Sequence, residues 1–236
     1  MKRSIPGVCY NALVNGRLIV IEGVDGSGKT TQFKLLKSYF EHQGKRVQSI
    51  HFPRHQQRFF GVLIDDYLNG KFGDATKLDP RLASVLYACD RFEAKEQINN
   101  WLKEGQVVVL DRYMTSNKGH QLCKLEREEE KQEMLSWLDE LEYEVFGIPR
   151  PDHVFYLDVP LSNVREMIAQ RDSEGKDYID GDYDQHEADE NHIKKAQEAY
   201  SFTVEKYDYW HRIKCHNGER LLNPQEVSEK IINLIS

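Results

Sequence analysis

The stretch Gly23-Val24-Asp25-Gly26-Ser27-Gly28-Lys29-Thr30 decides the reading of this chain. It follows the apolar run Leu18-Ile19-Val20-Ile21 and opens onto Lys29 to Gln43, a helical pattern closed by Gly44. The apolar run does not alternate, so it reads as a strand buried on both faces, as in a parallel sheet. Strand, glycine-bearing turn and helix in that order make a phosphate cradle, and the match to G-x-x-x-x-G-K-[ST] is complete. The glycines let backbone N–H groups curl around phosphate oxygens. Lys29 can reach the β and γ oxygens, and the Thr30 hydroxyl can ligate Mg²⁺. The residues expected around a bound nucleoside triphosphate are Gly23, Asp25, Gly26, Ser27, Gly28, Lys29, Thr30 and Thr31.

Outward from the cradle the same alternation continues. Val47 to Phe52, Val107 to Leu110, Val154 to Leu157 and the region of Ile213 read as strands. Leu82 to Glu104, Leu161 to Arg171, Asn191 to Tyr209 and Pro224 to Ile235 read as helices. The pattern predicts an α/β fold: a P-loop NTPase-type parallel sheet of about five strands with helices on both faces. No repeat and no Gly/Ser/Pro linker interrupts it, so residues 17–236 read as a single domain after an extension of residues 1–16. The charge run at 126–131 (EREEEK) reads as a solvated helix face. Residues 172–189, polar, acidic and glycine-bearing, read as a lid.

Composition narrows the function classes. A chain of 236 residues can bury about 70% of its unfolded surface without disulfide or metal staples. Apolar residues make up 39% and charged residues 30%, and no apolar run nears the roughly 20 residues of a membrane helix. The opening MKRSIPGVCYNALVNG lacks the apolar core of a signal peptide, so a cytoplasmic protein without a membrane partner is expected. A net charge of −7 argues against a nucleic-acid partner, although a few cations in one pocket suffice for a phosphorylated ligand. Cys9, Cys89, Cys123 and Cys215 are far apart and read as reduced thiols, and the His211, Cys215 and His216 group reads as structural.

P-loops serve several classes of enzyme. A GTPase would carry N-K-x-D, and Asn117-Lys118-Gly119-His120 lacks the aspartate. Motor and helicase ATPases are larger, so a kinase for a small acceptor fits the length best. Four motifs then occur in order: Gly23–Thr31, Phe52-Pro53-Arg54, Leu86-Tyr87-Ala88-Cys89-Asp90-Arg91-Phe92, and Asp111-Arg112-Tyr113 through Ser116-Asn117. Together they resemble the thymidylate kinase family over nearly the whole chain after residue 16. The resemblance implies transfer of the γ-phosphate of ATP to dTMP, giving dTDP and ADP, with Mg²⁺ as cofactor and a homodimeric assembly. Two rival readings are a kinase for another nucleoside monophosphate or a deoxynucleoside, and a non-catalytic nucleotide-binding regulator. A methyl group in an apolar pocket is worth only about 1–3 kcal/mol, so dUMP is a plausible second acceptor.

The resemblance also implies roles on the acceptor side. Tyr87 and Arg91 lie four apart, hence on one helix face. Tyr87 would stack on the thymine ring, worth about 1–3 kcal/mol, and Arg91 would address the base edge or the acceptor phosphate. Ser116 and Asn117 fall at the base, where an amide suits the carbonyl and N–H of a pyrimidine edge. Phe52 lies in the substrate motif, and Asp25 corresponds to the carboxylate that meets the sugar 3′-hydroxyl. Arg54 and Arg112 would clamp the acceptor phosphate through planar guanidinium groups. Asp111, ending a buried strand, would orient Mg²⁺ and the arginine.

A phosphate monoester is already largely dianionic at neutral pH, so no general base is expected. Lys29, Asp111, Arg112 and a lid cation would then carry catalysis by neutralising phosphate repulsion and aligning the two groups. Two departures from the family pattern follow. Gly26 stands where some members carry an arginine, which leaves Arg171 and Lys176 as the lid cations. His120 replaces an aromatic residue near the deoxyribose, so exclusion of ribonucleotides rests on a different side chain.

Overall fold

The computed structural model describes residues 16–73, 77–173, 190–218 and 220–235. In chain order the elements are β1 (Arg17–Glu22), α1 (Lys29–His42), β2 (Val47–His51), α2 (Arg58–Leu68), α3 (Pro80–Lys103) and β3 (Val107–Asp111). They continue with α4 (Thr115–His120), α5 (Glu128–Asp139) running into a π-helical turn (Glu140–Val145), β4 (His153–Asp158) and α6 (Leu161–Ser173). The chain then forms α7 (Glu190–Val204), β5 (Trp210–Lys214) and α8 (Pro224–Ile232).

The five strands form one all-parallel sheet in the order β2-β3-β1-β4-β5. β1 is central, with Ile21 opposite Asp111 on β3 and Glu22 opposite Tyr156 on β4. Its Leu18 to Ile21 and the Val108 to Leu110 run of β3 are buried on both faces, the pattern expected of a covered parallel sheet. Helices α1 and α8 pack together on the sheet, while α4 and α7 form a second packed pair with α7 against β4 and β5. The carboxyl ends of β1 and β3 lie side by side, and ligands of open α/β sheets bind outside that end. This is where the glycine-bearing turn leaves β1.

Element boundaries follow from local chemistry. α3 begins at Pro80, two residues before the expected Leu82, because Asp79 caps it by accepting from the Arg81 and Leu82 amides. α8 begins as expected at Pro224, behind a capping box of Asn223 and Glu226. α7 stops at Val204, short of the expected Tyr209. Lys206 N–H turns back to Thr203 O, and Tyr209 O already accepts from Val154 of β4. Tyr207 and Tyr209, inside the expected helix, belong to this turn. α2, α4, α5 and the π-helical turn were not expected as separate elements. Within 126–131, the helix starts at Glu128, and its exposed acids sit at the N-terminus, where the helix dipole favours them.

Among the described residues Cys89, Cys123 and Cys215 are free thiols, and no helix is long and apolar enough to cross a membrane. Residues 1–15 and 174–189, which hold most of the expected extension and lid together with Lys176, lie outside the described residues. Arg171 falls in the last turn of α6, and its side chain is likewise outside them.

Candidate active site

The cradle has the backbone its glycines were expected to permit. Gly26 and Gly28 have φ of 75° and 84°, left-handed values that side-chain-bearing residues rarely adopt. Gly26 is also crowded: a Cβ there would lie 2.6 Å from Ile168 Cγ1 and 3.0 Å from Val164 O, both on α6. The loop thus has no room for a side chain at Gly26, the position where the resemblance leads one to look for an arginine.

Lys29 starts α1 and is buried, with Nζ donating to Val24 O at 2.8 Å and lying 3.3 Å from Asp25 Oδ1. Burial draws its pKa down, and the nearby Arg112 pushes the same way. Asp25 also pairs with Arg112 Nη2. Burial alone would raise the Asp25 carboxyl, but Arg112 and Lys29 hold it well below the usual carboxylate range. This carboxylate therefore joins the cation of the cradle to an expected cation of the acceptor side. Because its folded pKa is depressed, the pairing contributes stability above the ordinary value of 3.8 and loses it as pH falls lower. The gap in denaturation midpoint between the natural chain and Asp25→Asn should accordingly be narrower at pH 3.5 than at pH 7. An unchanged gap would remove the linkage.

Arg112 follows β3 with φ of 67°, an unusual value for a residue with a side chain. Its N–H donates to Ile21 O on β1, and Nη1 donates to His120 Nε2 at 2.9 Å. Burial and the adjacent Arg112 push the His120 pKa well down, so the ring is neutral and can accept that bond. His120 stacks on His192 of α7 and meets the Tyr200 ring edge-on.

Asp111 closes β3 within reach of the cradle. Its Oδ2 lies 3.5 Å from Thr30 Oγ1 and 3.2 Å from His51 Nδ1. Its Oδ1 is buried and has no hydrogen-bond partner among the described residues. Burial would raise this carboxyl, yet His51, Lys29 and Arg112 bring its pKa below the ordinary value. An ionised buried oxygen without a donor is costly, and a hard cation would satisfy it. No group of three His, Cys, Asp or Glu side chains suited to a metal occurs among the described residues. A magnesium ion here would therefore draw most of its ligands from phosphate and water, its usual habit.

The residues expected on the acceptor side sit in two buried networks. Phe52 N–H donates to Asp111 O, and a cis Phe52-Pro53 bond leads into Arg54. Arg54 is held by Asp90 through Nε at 2.8 Å and by Glu93 through Nη2 at 2.6 Å, leaving Nη1 outside these bonds. Arg91 is also buried, gripped by both oxygens of Glu142, while Asn117 Nδ2 donates to Glu142 Oε1 and to Ser84 O. Ser84 and Arg91 thus bond across α3 toward the same side. Tyr87, three residues after one and four before the other, shares that face and meets Tyr67 edge-on. Ser116 Oγ is turned inward to Glu22.

The structure brings Asp25, Lys29, Thr30, Asp111, Arg112 and His120 into one connected cluster. It also reveals Glu22, Glu142 and Tyr200, which sequence reasoning missed, and gives Asp90, quoted there only as part of the Leu86–Phe92 motif, a role in holding Arg54.

A glycine-turn cradle at the end of the central strand, beside Asp111 and Arg112 at the end of β3, defines a P-loop phosphotransferase. The Thymidylate kinase family model matches residues 21–215. The chain belongs to the thymidylate kinase family, whose reaction carries the γ-phosphate of ATP to dTMP. The Mycobacterium tuberculosis thymidylate kinase is 34% identical over 158 residues, 66% of this chain and 73% of the relative. The Plasmodium falciparum thymidylate kinase is 30% identical over 195 residues, 83% of this chain and 80% of the relative. A solved structure of the thymidylate kinase from Candida albicans has a TM-score of 0.69 at 24% identity, covering 94% of this chain and 91% of that one, and speaks for the fold.

Proposed function

We propose that this ATP-dependent dTMP kinase works by electrostatic clamping, with donor and acceptor phosphates meeting between Lys29 and Arg112. The observation that carries this reading is Asp25, which already bridges those two cations. Phosphate oxygens entering from either side can take over the positions that the carboxylate holds. Two unit charges about 4 Å apart interact with roughly 4 kcal/mol at an effective dielectric of 20, so cations here matter greatly.

Gly23 to Thr31 bind the triphosphate, and Lys29 neutralises its terminal oxygens. Arg112 and Arg54 hold the acceptor phosphate, Asp25 addresses the 3′-hydroxyl, His120 borders the sugar, and Phe52 belongs to the substrate-binding motif. Tyr87 stacks on the base, while Arg91, Ser116 and Asn117 form its polar edge. Thr30 and Asp111 hold Mg²⁺, which when bound offsets phosphate charge. Arg171 supplies a lid cation. The acceptor dianion attacks directly, without a general base or a covalent enzyme intermediate.

We place the enzyme in the cytoplasm, with residues 17–236 acting as one domain and no nucleic acid or membrane as partner. A homodimer is supported by Phe59 and Val62 on α2 and Leu82 on α3, apolar side chains that these two packed helices leave exposed.

The direct test is an acceptor panel of dTMP, dUMP, UMP, CMP, dGMP and thymidine with ATP and Mg²⁺. Multiple-turnover ADP release that depends on dTMP is expected; release independent of acceptor would refute the proposal. Asn117→Ala should raise the KM for dTMP by about tenfold, the worth of one good hydrogen bond, with little change for ATP. Equal losses for both substrates would remove Asn117 from the base pocket.

A further inference from the structure

We propose that Glu142 is a specificity-determining positioning residue. It fixes the orientation of the Asn117 amide and thereby selects a pyrimidine with an N3 proton and a 4-oxo group. The inference rests on the base pocket proposed above and names the device that sets its selectivity.

Glu142 is wholly buried, on the π-helical turn that extends α5. Such turns recur at functional sites because their wider hydrogen bonding shifts the side-chain register. Here Glu142, four residues after buried Leu138, continues the inward face of α5 and is buried with Tyr143, while Glu140 and Glu144 stay exposed. Oε2 accepts from Arg91 Nε at 2.6 Å, and Oε1 accepts from Arg91 Nη2 at 2.5 Å and Asn117 Nδ2 at 3.0 Å. Every donor to this carboxylate thus comes from a residue of the proposed base edge.

The consequence for Asn117 is one of valence. Its second partner is the Ser84 carbonyl, 3.3 Å away. A carboxylate oxygen and a backbone carbonyl can only accept, so the amide nitrogen must face both. Reversing the amide would set oxygen against two oxygens. Oδ1 is therefore the polar atom of this side chain left outside the network, and it is an acceptor.

An acceptor at the base edge pairs with a ring that donates, as thymine and uracil do at N3. Cytosine presents a lone pair at N3, which would meet another lone pair. Arg91 acts in the same sense, because a guanidinium only donates and so suits a 4-oxo group but not a 4-amino group. With both readers tied to Glu142, one buried carboxylate enforces the donor and acceptor pattern of the edge. Loss of that constraint should therefore show up as lost discrimination between uracil and cytosine nucleotides.

The test compares kcat/KM for dUMP and dCMP, which share the absence of the methyl group, in the full-length enzyme with ATP and Mg²⁺. Sites built to hydrogen-bond a substrate reject analogues that cannot by about 10⁴-fold, so a ratio of at least ~10³ is expected in the natural chain. Glu142→Gln introduces an amide that can donate as well as accept, which removes the shorter of the two bonds that fix Asn117 and leaves only the 3.3 Å bond to Ser84 O against its turning over. The ratio should fall at least about tenfold, with the KM for ATP unmoved. If the variant slows on both acceptors equally and keeps the ratio, Glu142 only supports the fold and the proposal fails.

Should Glu142→Gln not fold, Glu142→Asp decides the matter: the shorter carboxylate keeps the charge but cannot hold both Arg91 and Asn117. A fall in the dUMP to dCMP ratio supports the proposal, and an unchanged ratio overturns it. An enzyme inactive on both dTMP and dUMP would instead break the parent reading of the pocket.

Discussion

Lys29→Ala is expected to lower kcat by about 10³-fold while leaving the chain folded. The loss is large because the ammonium is buried in the cradle, where charge interactions are weakly screened. Its removal from the transition state leaves the terminal phosphate oxygens without their nearest positive side chain. The fold should survive, because the lysine's partners in the empty site are the Val24 carbonyl and Asp25, and Asp25 keeps Arg112. Burial already disfavours the charged form, so deleting it also removes a desolvation cost. Turnover measured by ADP release, alongside a denaturation curve, separates the two effects. A kcat within threefold of the natural value would refute the cradle assignment.

The second large effect falls on stability. Glu22 ends β1 with no solvent exposure and accepts from the Tyr113 amide at 3.1 Å, Thr115 Oγ1 at 2.5 Å, Ser116 Oγ at 2.9 Å and Tyr200 OH at 2.9 Å. These donors come from the segment after β3, from α4 and from α7, so one carboxylate ties the central strand to the acceptor side. Glu22→Ala leaves several buried donors unpaired and should cost about 3–5 kcal/mol. In a chain of this size that is a fall in Tm of roughly 10 °C. Thr115→Ala, which deletes one donor and leaves the carboxylate with three, should cost less. A Glu22→Ala melting point within about 2 °C of the natural chain would show that water replaces those bonds.

These effects mark the limit of what the sequence disclosed. The cradle was legible because it compresses its chemistry into eight adjacent residues, and β1 and β3 because strands buried on both faces are apolar throughout. Asp111 and Arg112 were legible as the residues closing such a strand. Glu22, Asp90 and Glu142 were harder to see. A buried acid looks like a surface acid until its partner is known, and their partners lie far off in sequence: Tyr200 for Glu22, Arg54 for Asp90 and Arg91 for Glu142. Glu142 was further obscured by its charge: it follows buried Leu135 and Leu138 at helical spacing, but an acid at such a position reads as the end of the apolar face. The family resemblance supplied the residues expected at the pocket, but not the acids that hold them.

The Asp25 bridge also bears on which anions the site favours. Lys29 and Arg112 are paired with each other through that carboxylate, so a stray chloride or a lone monoanion would gain little between them: it would first have to displace the tethered acid. A ligand bearing several negative oxygens on both sides can displace that tether and still come out ahead. The bridge thereby weights the site toward polyanions over the commonest small anions.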